Sequence, residues 1–324
     1  MTRAVLSASL AFAMISAANA QITPERTYYG VNRAIPMTVA MPSGASGAVE
    51  IGLFEQGKAD PVEKASAAQG RVDLAGLFPV LWTAAKPRVL YAQLIVGGKQ
   101  VGAPVVLQPL LSPDYATGAG QQGQIMWSPR SGEGSSGLRA WVNKHVVLET
   151  SLGEVEIAMR PDVAPNSVWN FLSLVEGGFY TDIIFHRVVP SLPTGAAFVI
   201  QAGDPAGKGS GGPGYNIDLE KSALQHDFGV ISMARSGDPN SAGSQFFLCL
   251  SREGTAALDG KYTAFGQTVR GAETITAIAA VPLADQASGR PVQPPVIKSA
   301  KAIPSPAFGE IPAPAKKPEG GPAR

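Results

Sequence analysis

Residues 183–189 read IIFHRVV, an apolar, β-branched run with a histidine and an arginine side by side in its middle. A period of two puts Phe185, Arg187 and Val189 on one face of a strand, and Ile184, His186 and Val188 on the other. Five further runs of this kind follow: AFVIQAGD (197–204), GVISMAR (229–235), SQFFLCLS (244–251), TAFGQTV (263–269) and PVIKSAKAI (295–303). Ahead of them, HVVLETSLGEVEIAMR (145–160) predicts a strand, a tight turn at Ser151-Leu152-Gly153, and a second strand. In APNSVWNFLSLVEGG (164–178) Val168, Phe171, Leu172 and Val175 recur with helical spacing, with Asn166 or Ser167 as a cap and Gly177-Gly178 as the stop. AETITAIAA (272–280) predicts a second helix, with Ile275, Ile278 and Ala279 on one face. Many short strands with a helix near each end of the series predict a closed barrel capped by helices.

The chain has 324 residues, enough for about two domains. With 26 Lys+Arg against 25 Asp+Glu and only 16% charged residues, it lacks the broad field that nucleic acid or anionic lipid would require. The first 20 residues, MTRAVLSASLAFAMISAANA, carry Arg3, an apolar stretch and a small-x-small site at Ala18-Asn19-Ala20. This pattern predicts an export signal cleaved after Ala20 and a periplasmic or secreted protein. The apolar stretch is shorter than the roughly 20 residues a membrane helix needs, so no stable membrane insertion is expected. Cys249 is the only cysteine, which excludes an intramolecular disulfide.

Residues 21–112 alternate apolar and polar positions in short runs and include a hairpin signal at Gly97-Gly98. They predict a small all-β, sandwich-like domain whose role and partner the sequence does not name. Residues 113–143 are rich in Gly, Ser and Gln and read as a linker, and the proline-rich residues 304–324 as a disordered tail.

If the strands of residues 144–303 are neighbours, Arg187, Gln201, Gln245 and Phe247 form one patch. It holds a strong donor in an apolar wall, with no general base, nucleophile or metal site. The three histidines, His145, His186 and His226, lack ligand spacing. GSGGPG (209–214) matches a dinucleotide fingerprint only formally, because Pro213 interrupts it and no helix pattern follows. GDPAGKGS (203–210) lacks the hydroxyl residue directly after Lys208 that a phosphate loop needs. Cys249, inside an apolar strand, reads as a buried and inert thiol.

FHRVV, FVIQAGD, GSGGPGY, ISMAR, NSAGSQFFLCLS, LDGKYTAFGQTV and VAPNSVWNFLSLVEGGFY together resemble the cyclophilins, which are peptidyl-prolyl cis-trans isomerases. The resemblance covers about half the chain. It implies a mainly β fold with a closed antiparallel barrel of eight strands capped by two helices, acting on proline-containing polypeptides with no cofactor and no metal. It further implies that Arg187 is the catalytic arginine, with Gln245 beside it. Phe198, Val199, Gln201, Ala234, Phe247, Leu258 and Tyr262 would then bind substrate. Val199 stands where methionine is common, Ala257 where many relatives carry tryptophan, and Tyr262 where they carry histidine, which implies weak cyclosporin binding. Arg235 or Ser236 takes the place of a family asparagine. Residues 191–197 are an insertion at the groove rim. A non-catalytic proline-peptide-binding or chaperone module in an envelope assembly is the alternative function.

Overall fold

The computed structural model describes residues 21–41, 46–119, 124–129 and 134–319. The expected export signal lies outside these residues. Eleven strands come first: β1 (Gln21–Pro24), β2 (Tyr28–Gly30), β3 (Pro36–Ala40), β4 (Val49–Phe54), β5 (Glu63–Ser66), β6 (Gly70–Asp73), β7 (Leu90–Val96), β8 (Lys99–Pro109), β9 (Tyr115–Ala119), β10 (Ile125–Ser128) and β11 (Gly137–Val142). Two antiparallel sheets, β1-β3-β6 and β2-β11-β8-β7-β4-β5, enclose one apolar core that includes Ile22, Met37, Leu53, Phe78 and Leu107. Gly97 and Gly98, both at positive φ, make the β7–β8 turn as expected.

The expected linker is largely folded. β11 pairs with β8 and β2 and so belongs to the first domain, while β9 and β10 form a separate hairpin. Averaged composition hid the alternation within GLRAWV: Leu138 and Ala140 enter the first core, while Trp141 turns the other way and packs edge-on against Trp169, ring centroids 5.2 Å apart.

The second domain contains β12 (Lys144–Thr150), β13 (Gly153–Met159), β14 (Ile183–Ile184), β15 (Arg187–Val189), β16 (Val199–Ala202), β17 (Val230–Met233), β18 (Phe246–Cys249), β19 (Ala264–Arg270), a β20–β21 ribbon (Leu283–Asp285, Arg290–Pro291) and β22 (Val296–Pro304). Instead of eight strands, the sheet has nine, all antiparallel, in the order β14-β22-β12-β13-β19-β17-β18-β16-β15. The run IIFHRVV accounts for the difference, because it is two strands. Ile183 and Ile184 pair with β22, the Phe185 amide bonds to the Pro295 carbonyl, and Arg187–Val189 pair with β16. The break cancels the expected alternation: Phe185 joins Val188 in the main core and does not share a face with Arg187.

The long helix (Pro165–Glu176) buries Val168, Phe171, Leu172 and Val175, and Gly177 ends it. Neither Asn166 nor Ser167 caps it. The Glu220 carboxylate, 54 and 53 residues on in sequence, accepts from both their amides and from the Ser167 hydroxyl. The later helix (Ala272–Ala279) buries Ile275 and Ile278, with Ala279 partly covered.

The tail, expected to be disordered, makes contacts with the rest of the protein around Phe308. Phe308 packs its ring 5.1 Å from both Phe54 and Tyr91, and the side chains of Gln93 and Gln100 accept from the Phe308 and Gly309 amides. Ala307 is buried as well, Ala315 packs against the main core, and the Ala315 amide donates to the Thr268 carbonyl (2.9 Å), so the segment is docked on both domains. Residues 320–324 lie outside the described part. Phe54, Tyr91, Ile95, Val106 and Trp141 of the first domain share one continuous core with the second.

Candidate functional site

Strand pairing brings the expected site residues together. Arg187 on β15 lies opposite Gln201 on β16, Gln201 opposite Phe247 on β18, and Phe247 opposite Ser232 on β17. The polar side chains form a directed chain. Arg187 donates from Nη1 to Gln201 Oε1 (3.3 Å), and Gln201 donates from Nε2 to Gln245 Oε1 (3.0 Å). Gln245 Nε2 then donates to the carbonyls of Gly209 (3.1 Å) and Gly211 (2.8 Å). Among the described residues no carboxylate lies within ion-pair distance of Arg187. The guanidinium is thus held by one amide oxygen while its charge stays uncompensated.

Val199 and Phe247 are buried with Val230, Cys249 and Ala264 in a small separate apolar cluster, against which Phe198, Ala234, Leu258 and Tyr262 are half-buried. All the apolar residues assigned to the site therefore meet at one place. Tyr262 stands edge-on to Phe247 (5.8 Å, 80°), and the Arg235 guanidinium covers the other ring, 4.5 Å from the Tyr262 centroid, while donating to the Lys261 carbonyl. Ser236 instead bonds Ser241 within the loop joining β17 to β18. Burial pushes the Cys249 thiol well above its usual range, in keeping with an inert group.

His226 was considered only as a possible metal ligand from the sequence. In the structure it backs the pocket, stacked on Phe247 at 6.0 Å and 19°. Its Nδ1 lies 2.9 Å from Asp259 Oδ1 and its Nε2 lies 2.9 Å from Ser232 Oγ. Burial lowers its pKa more than Asp259 raises it, so the neutral ring donates at Nδ1 and accepts the Ser232 hydroxyl at Nε2. Burial alone would raise Asp259. Hydrogen bonds from Arg252 and from the His226 amide and ring overcome it and hold the carboxyl at about 2. Thirty-three residues separate His226 from Asp259, and no local pattern joins them.

The glycine-rich segment 209–214, rejected as a dinucleotide fingerprint, is the wall of a groove of about 590 Å³, which Gln201, Ala234 and Gln245 line from the other side. Asp204 ties this wall, accepting amides from Ala206, Lys208, Gly209 and Ser210 at 2.5–3.1 Å. Gly203, at φ +91°, has no room for a side chain because the Ser244 carbonyl occupies the space a Cβ would take. His186 is 8% exposed and its ring nitrogens have no hydrogen-bond partner.

The model of the cyclophilin type peptidyl-prolyl cis-trans isomerase family matches residues 145–302. A peptidyl-prolyl cis-trans isomerase of Synechococcus elongatus is 44% identical over 122 residues, 38% of this chain and 78% of that one. A second, from Schizosaccharomyces pombe, is 38% identical over 164 residues, 49% of this chain and 97% of that one. The peptidyl-prolyl cis-trans isomerase-like 2 of Cryptococcus neoformans is 37% identical over 169 residues, 50% of this chain but only 28% of its own, so the chain spans little more than a quarter of that relative. With 97% of one of these relatives and 78% of another covered at 38% and 44% identity, the chain belongs to the cyclophilin-type peptidyl-prolyl cis-trans isomerase family.

Proposed function

We propose that this chain accelerates rotation about X-Pro bonds in exported polypeptides, without a covalent intermediate. The observation that carries this reading is Arg187: a guanidinium with no carboxylate partner, steered by Gln201 beside the cluster of Val199, Phe247, Leu258 and Tyr262. The barrier to rotation is about 20 kcal/mol because the twisted state gives up amide resonance. Loss of resonance makes the prolyl nitrogen basic, so a fixed donor binds it better in the twisted state than in either planar one. In this reading the prolyl ring enters the apolar cluster, with Phe198 and Ala234 at its margin, and Gln201 and Gln245 hold Arg187 and the peptide backbone. The apolar surroundings strengthen the charged hydrogen bond.

A preorganised donor of this kind contributes about 3 kcal/mol, or roughly 100- to 1,000-fold in rate. Arg187→Ala is therefore expected to lose at least 100-fold in kcat/KM on a short Ala-Pro peptide, with its thermal midpoint unchanged. Undiminished turnover in that variant would sink the mechanism.

Two further points support the finer reading. Counting β14 and β15 as halves of one interrupted strand reduces nine strands to eight, and these halves are the two edges of the sheet, as a closed barrel requires. Gln21, which would follow cleavage after Ala20, is the first residue of β1 and its side chain donates to the Ala103 carbonyl. N-terminal sequencing of the protein recovered from the periplasm or medium should begin at Gln21.

A further inference from the structure

The β9–β10 hairpin is an excursion from the sheet of the first domain. It leaves after β8 and returns at β11, which are paired neighbours, and its base is closed by backbone bonds from the Leu110 amide to the Gly137 carbonyl (2.8 Å) and from the Ser136 amide to the Leu110 carbonyl (3.0 Å). From that base it reaches the second domain at two places. Asn240, in the loop joining β17 to β18, donates from Nδ2 to the Ala116 carbonyl (2.7 Å). Lys221 pairs with Asp114 (2.5 Å), directly before β9, and lies 4.7 Å from the Trp127 ring centroid. Ala116 and Trp127 oppose each other in the hairpin register, so both contacts come from one level of the ribbon.

The two segments held in this way carry the walls of the groove. Ser236 and Ser241 line one wall, and Gly214, Tyr215 and Asn216 the other. The walls are joined where Ile217 and Ala242 form an antiparallel bridge, the Ile217 amide donating to the Ala242 carbonyl (2.7 Å). Two residues further along this register Leu219 falls opposite Asn240, and its amide donates to Asn240 Oδ1 (3.2 Å). Within the loop Ser236, Asp238 and Ser241 bond one another. One carboxamide, that of Asn240, thus uses its acceptor on the other wall and its donor on the hairpin. The groove opens from the candidate site itself: Gln201 and Gln245, the amides beside Arg187, line it, and so does Ala234, which packs against the cluster of Val199 and Phe247. A peptide with its proline in that cluster would lay flanking residues in the groove.

We propose that the β9–β10 hairpin is a built-in support of the substrate groove, with Asn240 as the positioning residue. By holding the Ser236–Ser241 rim against the opposite wall, the hairpin spares a bound peptide the cost of ordering that loop. The proposal rests on the isomerase reading and gives the first domain a part in it. That part is in substrate affinity, since Arg187 is held by Gln201, on a different strand from the braced loop.

Two variants of the full chain test this from opposite sides. Asn240→Asp keeps the acceptor for the Leu219 amide but sets a carboxylate oxygen against the Ala116 carbonyl. Trp127→Ala removes the ring beside Lys221 on the hairpin. Each is expected to raise KM for a ten-residue peptide with Ala-Pro at its centre by roughly three- to tenfold, the size of one lost hydrogen bond, and to leave kcat within about twofold of native. Each should also speed amide hydrogen exchange in the 236–241 loop. Because both act through one hairpin, the double variant should be no worse than the worse single. Should one variant fail to fold, the other carries the KM and exchange readouts. A lower thermal midpoint with unchanged KM would make the contact purely structural and overturn the proposal, as would multiplied losses in the double variant or unchanged exchange in the loop. If the native protein fails to turn over the peptide, the isomerase reading falls. Fluorescence polarisation of the labelled peptide then decides the brace separately, with roughly three- to tenfold weaker binding to the variants supporting it and equal binding overturning it.

Discussion

His226 never reaches the groove, yet its ring joins two walls of the pocket. Asp259 follows Leu258 directly and Ser232 pairs with Phe247, so the imidazole ties the Leu258–Tyr262 segment to the strand behind Phe247. The Ser232 bond needs the neutral ring, because a protonated Nε2 cannot accept, whereas Nδ1 donates to Asp259 in either state. The folded pKa of His226 lies below its usual value, and so does that of His186, in each case chiefly through burial. Between the folded and unfolded values the unfolded chain binds more protons, so stability rises with pH across that window. The urea midpoint should therefore be level above about pH 6.5, the unfolded value, and fall as pH drops below it. A separate loss should follow at lower pH, as Asp259 and Glu156, both held down by their partners, take up protons. His226→Gln should flatten the first slope and cost about 1–3 kcal/mol at neutral pH, the range for leaving buried polar partners unpaired. An unchanged slope would mean that His226 does not titrate as described.

At the scale of elements, the tail makes the sharpest prediction. Phe308→Ala removes a half-buried ring from between Phe54 and Tyr91 and should lower stability by about 1–2 kcal/mol, less than the 1.5–3 kcal/mol of a fully buried side chain. Ending the chain after Pro304 should cost more, since it also strips Gln93 and Gln100 of the amides they accept; urea unfolding measures both. Elements with a strong internal rhythm were legible in the sequence: the Val168–Val175 stripe, the Gly97-Gly98 hairpin and the strands carrying Gln201 and Phe247. The elements that escaped depend on distant partners. Glu220 caps a helix some 54 residues away, Phe308 docks on the other domain, and the two halves of IIFHRVV pair with different strands, β22 and β16. Nothing near those residues in sequence signals the partner, so periodicity and composition could not find them. The residues of the apolar cluster were singled out because their motifs resemble a family, whereas His226 lay outside those motifs.

For the whole molecule, the shared core and the docked tail mean that the two domains are not independent beads. Side chains from β4, β7, β8 and β11 lie in the same cluster as those of the second domain. Urea unfolding should therefore appear as one transition, with tryptophan fluorescence and far-ultraviolet circular dichroism coinciding; two separated transitions would contradict this coupling. The strand order also sets a timetable. β12 receives its second neighbour, β22, only when Val146 meets Ala302, although the strands carrying Arg187, Gln201 and Phe247 have been made long before. A chain emerging from a ribosome or a translocon can complete its first domain at Val142. It must then hold the whole second sheet open until residues 296–304 arrive, and only afterwards can the segment around Phe308 latch back onto β7 and β8. Prolyl isomerisation by a nascent copy should therefore begin only once residues near 304 have been delivered, long after the strands of the candidate site have been made.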